Sequence, residues 1–408
     1  MRITPSTVMA ILLIDTILWG IWFGGLWSYR SAFASRLTDS YLHISMSTAM
    51  PLALSSITYL SAMYKPTFFR VNRVKLFKLS ILLSRVIYLL SSIAVYLDIF
   101  SGLELLYIFS VGISIAYSIG TIAGIAWTDY VADNVPDTWK PRYIALDSTL
   151  STVGALIGTV IAGTLFVKDS HILTYGKLFL IISAVFLIDT PMIMLIKEFK
   201  DTKKDVLKPA KYSFLKRSSI FYVSIVLLYT AINLPYSLIA PYIIRRIGGD
   251  EIWITMMNGA SLIASLATPL IWGEILRKLP SLTLARVAIV IAIASSATLP
   301  YLKSLELQII RAFIAGAGGI GIWISIFGHI IRDTNPEHRI QHSSTIYIIQ
   351  SFIPAIAMNV GGALADIIHA PEIIFLLSLI GLATLPMIKN TQEQEKHSTT
   401  ISKKIKNS

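Results

Sequence analysis

Residues 127–143 read WTDYVADNVPDTWKPRY, setting Asp129, Asp133, Asp137, Lys140 and Arg142 close together in a chain otherwise poor in charge. Residues 323–339 read WISIFGHIIRDTNPEHR, so that Asp133-x-x-Pro136 returns as Asp333-x-x-Pro336. Two further landmarks recur in the same register. Ser84-Arg85-Val86 is matched by Ala285-Arg286-Val287, and Gly102-Leu103-Glu104-Leu105 by Ser304-Leu305-Glu306-Leu307. Any one match is weak, but three in order at nearly constant spacing predict a duplicated unit.

The material between these landmarks says what the unit is. Of 408 residues, 54% are hydrophobic and 14% charged, where a soluble domain carries roughly 25% charge. Apolar runs of about 20 residues, each long enough to cross a bilayer as a helix, recur along the whole chain. The expected spans are 7–28, 44–63, 77–97, 104–128, 146–167, 175–196, 219–242, 252–274, 284–302, 306–330, 344–367 and 371–388. Backbone groups cannot go unpaired in lipid, so the spans are expected to be helices. The predicted architecture is an all-α membrane protein with twelve transmembrane helices in two pseudo-symmetric six-helix bundles, residues 1–198 and 219–389. A basic cytoplasmic linker, 199–218, and a polar cytoplasmic tail, 390–408, complete it. Lys and Arg crowd alternate connections, the linker and the tail, which places both termini in the cytoplasm of a multi-pass plasma-membrane protein.

The net charge of +12 is explained by those cytoplasmic loops, and no nucleic-acid partner is expected. Cysteine is absent, so thiol chemistry is excluded. Met1-Arg2 leads directly into an apolar run holding Asp15, which suits a retained first helix. No GxxxxGK[ST] string is present, so ATP hydrolysis is not expected. His329, His338 and His342 gather only at a loop end, and no metal, cofactor or enzymatic constellation is expected.

The sequence resembles the major facilitator superfamily, over nearly its whole length. The Asp-x-x-Pro stretches followed by a basic residue, 133–142 and 333–339, look like that family's loop after the fourth and tenth helices. Arg311-AFIAGAGGIG-Ile322 resembles its Arg-plus-glycine pattern in a helix lining the path. Gly154, Gly158 and Gly163 resemble its glycine-rich fifth helix, with Thr159 where an exporter-type Pro often stands. The loop after the second span departs from the usual signature: Phe69 stands at the acid's place, and Arg70 and Arg73 match. The resemblance implies two bundles rocking about a central cavity lined by helices 1, 4, 7 and 10.

An ionisable group inside a span costs about 2.5–3.5 kcal/mol at the bilayer centre and so needs a reason. Two readings of Asp15 are open: a cavity carboxylate that exchanges protons, or one satisfied by a neighbouring hydroxyl or arginine. Arg311 either holds a substrate anion or braces a glycine-rich helix. Arg85, whose counterpart is Arg286, reads as an anchor, and Asp189 as a locally paired carboxylate beside Thr190. The polar aromatic set Trp19, Trp22, Tyr117, Thr121, Tyr229, Asn233, Tyr236 and Trp323 forms the expected substrate surface, with interface anchoring the alternative for the Trp and Tyr residues. The repeated acids suggest a cytoplasmic latch, with Asp129 and Asp133 facing Arg70 and Arg73, and Asp333 facing Arg277 and Lys278. The expected function is a monomeric secondary active transporter for a small organic solute, with protons as the candidate coupling ion. The rival reading is a non-transporting membrane sensor or assembly partner on the same fold.

Overall fold

The computed structural model describes residues 5–135, 140–169, 171–199, 219–329 and 339–388, and among them every regular element is helical. The long helices are α1 (Pro5–Gly25), α2 (Tyr41–Tyr64), α3 (Arg73–Tyr96), α4 (Gly102–Asn134), α5 (Lys140–Phe166) and α6 (Ile172–Leu187). The second half of the chain adds α7 (Ser219–Asn233), α8 (Glu251–Ala267), α9 (Ser281–Thr298), α10 (Leu305–Gly328), α11 (Arg339–Ile368) and the shorter α12 (Pro371–Leu377). Among the described residues, ten segments are long and apolar enough to cross a membrane, or eleven if α8 and the helix Pro269–Lys278, which meet at 41°, count as one bent span. Helix α2 stands outside that set. It has 24 residues and no Asp, Glu, Lys or Arg, but seven of its side chains are Ser or Thr hydroxyls.

Local chemistry explains the element ends. Ser40 caps α2 by accepting from the His43 amide, and Asp250 caps α8 by accepting from the amides of Ile252 and Trp253. Each cap satisfies donors that the first helical turn leaves orphaned. Gly248, at φ 84°, takes the left-handed conformation that ends the Ile243–Ile247 turn before α8 begins.

Helix packing repeats along the chain. In the first half α1 packs on α5, α2 on α4, α3 on α4 and α3 on α6; in the second, α7 on α11, α8 on α10, α9 on α10 and α9 on the α12 region. Across the halves α2 packs on α11 and α5 on α8. The outer faces keep apolar residues such as Ile57, Val160, Ile188 and Leu270 more than half exposed, as lipid-facing positions require. Inside, small polar groups join helices: the hydroxyls of Ser92 on α3 and Ser183 on α6 lie 2.8 Å apart. Such hydrogen bonds add to the close packing that holds membrane helices together.

Candidate functional site

A cavity of about 330 Å³ opens among α1, α3, α4 and α5. Its place follows from a close seam. A Cβ on Gly158 of α5 would fall 2.2 Å from the carbonyl oxygen of Ile21, and one on Gly24 of α1 would fall 1.9 Å from that of Ala155. The two backbones therefore touch where these glycines face each other. One to three turns before them, α5 turns Asp147 and Ser151 to α1 and into the cavity. There the Thr16 hydroxyl donates to Asp147 Oδ1 at 2.5 Å.

Asp15, next to Thr16, also lines the cavity, as does Arg85 from α3. Arg85 is buried and forks between two carboxylates. One terminal nitrogen donates to Asp15; the other donates to Asp189 and, at 2.9 Å, to the Thr190 hydroxyl. The guanidinium also lies 4.4 Å from the Phe186 ring centre. Asp189 is fully buried, and its Oδ2 has no hydrogen-bond partner among the described residues. The arrangement thus shares one cation between two acids 70 and 104 residues away in sequence.

Aromatic rings form much of the wall. Trp19, Trp22, Tyr59, Tyr88, Tyr117 and Trp127 all line the cavity, with Thr121 beside them. Trp22 is buried and packs on Tyr88 with ring centres 4.8 Å apart, and Tyr117 stacks on Trp27 at 4.5 Å. Of the first-half residues singled out in the sequence, the structure therefore brings together Asp15, Trp19, Trp22, Tyr117 and Thr121.

The second-half candidates lie elsewhere. Arg311 is buried on α10, where its Nε donates to Gln308 Oε1 at 2.6 Å, and Gln308 in turn donates to the carbonyls of Leu299 and Leu302. Tyr229 accepts a hydrogen bond from Gln350 at 2.6 Å, and Asn233 donates to the Tyr229 carbonyl. Tyr236 and Trp323 keep about two-fifths of their surface exposed. None of these five lines the first-half cavity.

The first copy of the acid–arginine cluster lies at the far ends of α3 and α4. Arg70 donates to Asp129 at 2.6 Å and Asp133 at 3.0 Å; Arg73 donates to Asp129 at 2.9 Å and Asp133 at 2.6 Å. Arg73 is fully buried and also binds both oxygens of Glu198, at 2.8 and 2.9 Å. In the second half, Arg277 and Lys278 reach Glu274 on their own helix, at 2.6 and 3.6 Å, and all three are exposed. Asp333 lies outside the described residues.

Sequence reasoning missed Asp147, Glu198 and a set of contacts joining the two halves. Asp147 had a signal: it stands seven residues before Gly154, on the same face of a helix whose glycines mark a close contact. At the opposite end from Arg73, Arg36 binds both oxygens of the buried Glu251, at 2.7 and 2.8 Å, and the Tyr175 hydroxyl donates to the same carboxylate at 2.7 Å. Asp366 accepts from the Ser40 hydroxyl and from the amides of Tyr41 and Leu42. Arg245 donates to the carbonyls of Ser35, Thr38 and Asp39. Spacing within one helix carries no signal for these pairs.

The sequence profile of the Major Facilitator Superfamily matches residues 32–357. No curated protein matches the chain by sequence. Among solved structures, the chain is similar to a POT family transporter in complex with a thioalcohol-conjugated peptide, at TM-score 0.68 and 13% identity over 95% of this chain and 96% of that one. It is similar to the nucleoside transporter NupG at TM-score 0.68 and 13% identity, over 96% of this chain and 98% of that one. It is similar to a D-xylose-proton symporter at TM-score 0.65 and 12% identity, over 94% and 96%. At such low identity the likeness is one of fold.

Proposed function

Because the chain belongs to the major facilitator superfamily, we propose that it is a secondary active transporter moving a small organic solute across the plasma membrane by alternating access. The observation that carries the reading is the cavity among α1, α3, α4 and α5, large enough for a small solute, walled by aromatic rings and holding Asp15, Asp147 and Arg85. Small-molecule sites are concave, mostly apolar and fitted with a few placed polar groups. In our reading the chain crosses the bilayer twelve times in two six-helix bundles, residues 1–198 and 219–389, joined by 199–218. The repeated packing of α1–α5 with α7–α11 and of α3–α4 with α9–α10 supports this layout. Both termini and the acid–arginine cluster then lie on the cytoplasmic side, where the basic connections gather. Tyr229, Asn233, Tyr236, Arg311 and Trp323 form the second-half wall of the path.

Asp15 is the proposed coupling residue. Two carboxylates on Arg85 leave one negative charge over, and a proton at Asp15 is the simplest balance for it inside a span. A structural neighbour described as a proton symporter supports this reading. The test is solute uptake into proteoliposomes containing the purified chain, with peptides, nucleosides, sugars, amines and organic acids, with and without an inward proton gradient. A solute whose accumulation follows the gradient, and loses that dependence in Asp15→Asn, supports both transport and coupling. Uptake that ignores the gradient removes the proton; no uptake of any class from folded protein removes the transporter.

A further inference from the structure

We propose that the cavity takes an organic cation, an amine or guanidine, whose charged nitrogen sits at Asp147 and Asp15 while its apolar body lies against Trp19, Tyr59 and Trp127. This names the substrate class of the cavity and rests on the transporter reading of it.

The charge count comes first. Asp15 and Asp147 both line the cavity, and Asp189 lies behind it on the other arm of Arg85. The terminal nitrogens of Arg85 are committed to Asp15, Asp189 and Thr190. Asp147 receives only the neutral Thr16 hydroxyl among the described residues. One guanidinium, with the proton proposed at Asp15, thus balances Asp15 and Asp189 and leaves Asp147 without a charge partner among the described residues. The next buried cation, Arg30, does not relieve the excess. It is not in the cavity wall, its guanidinium lies 3.4 Å over the Trp27 ring, and it donates to the carbonyls of Trp27 and Thr48.

The wall supplies the second argument. A cation over the face of Trp or Tyr is attracted by the ring quadrupole, most strongly where water is excluded. A carboxylate-plus-aromatic cavity therefore holds an organic cation at both its charge and its body. An anion of the same shape would meet the Asp147 carboxylate, and a neutral solute would leave its charge uncompensated. A bare metal ion fits less well: among the described residues no three His, Cys, Asp or Glu side chains come close enough to hold one.

The experiment compares three isosteres on the purified full-length chain: tyramine, 3-(4-hydroxyphenyl)propionate and 4-ethylphenol, with affinity read from tryptophan fluorescence and thermal shift. Tyramine is expected to bind about tenfold or more tightly than either partner, and Asp147→Asn to remove about tenfold of its affinity. Equal or tighter binding of the propionate or the phenol overturns the assignment, and so does an Asp147→Asn chain that holds tyramine as the wild type does. The charge series is read on the wild-type chain and needs no variant to fold. Binding of an anion or a neutral solute in place of the amine leaves the transporter reading standing. Failure of all three isosteres, and of the peptides, nucleosides and sugars used for uptake, removes both.

Discussion

Arg85 shows what one residue does for the interior. It is 1% exposed and carries charge from α3 to carboxylates on α1 and just beyond α6. Removing it leaves the buried Asp189 without its cation, a loss of about 3–5 kcal/mol in comparable buried pairs. Arg85→Gln is therefore expected to lower the melting temperature of the detergent-solubilised chain sharply. Adding Asp189→Asn should recover much of that loss, because a neutral amide no longer needs the guanidinium; a double variant no more stable than Arg85→Gln alone would contradict the shared pairing. Arg73 and Arg277 make a second comparison. Arg73 is fully buried against Asp129, Asp133 and Glu198, whereas Arg277 is 74% exposed beside Glu274. Arg73→Gln should cost several times what Arg277→Gln costs, since exposed pairs contribute about 0–1 kcal/mol. Equal melting temperatures would refute that ranking. Asp15, Arg85 and Asp189 stand out in the sequence because each interrupts an apolar run. Which acid meets which cation does not, because the partners come from different helices.

At the scale of the element, the α1–α5 seam sets the cavity's geometry. The glycine face of α5 is legible in the sequence as a close-packing surface. Its main partner is not, since nothing in the spacing says that Gly20 and Gly24 of α1 meet it. Asp147 shares that glycine face, but only the partner helix shows that the face opens into a cavity there. The seam leads to a direct prediction. Gly158→Leu places a branched side chain where even a Cβ lies 2.2 Å from the Ile21 carbonyl oxygen. Overpacking typically costs about 1–3 kcal/mol, and here the obstacle is backbone, which cannot swing away. The variant should lose thermal stability, and tyramine affinity with it, as Asp147 is carried away from Thr16. Gly319→Ala is the control, because a Cβ there meets nothing within 4 Å. Equal behaviour of the two variants would mean that the seam does not position the site. Helix α2 marks the opposite limit of legibility. Its length and lack of charge make it a span by eye, while its hydroxyls keep it out of the strongly apolar set. They are used inside the protein: Ser45 meets Ser237, and the Thr58 hydroxyl lies 2.9 Å from that of Ser118.

Across the whole molecule, polar contacts between the halves are not spread evenly. Among the described residues, the hydrogen bonds joining residues 5–199 to residues 219–388 all gather toward one end. They run from Tyr29 to Thr255, from Arg36 and Tyr175 to Glu251, from Ser45 to Ser237, from Asp366 to the start of α2, and from Arg245 to residues 35–39. The acid–arginine cluster at the other end ties the helix Pro66–Val71, α3, α4 and the segment after α6 within one half. The sequence displayed the repeated Asp-x-x-Pro stretches and so drew attention to that end. The bridging contacts are unique pairings that leave no repeat to notice. If transport needs the halves to part where they now meet, fixing them there must stop it. The chain contains no cysteine, so Ser45→Cys with Ser237→Cys introduces a single pair at hydroxyls now 2.7 Å apart, close to the reach of a disulfide. Oxidation should join the halves, so that fragments cut in the 199–218 linker stay together on a non-reducing gel. Uptake should then fall to background and return on reduction, while each single-cysteine chain transports normally under both conditions. Binding of tyramine should survive the cross-link, because the cavity lies within the first half. A cross-linked chain that still transports would show that this end does not open during the cycle.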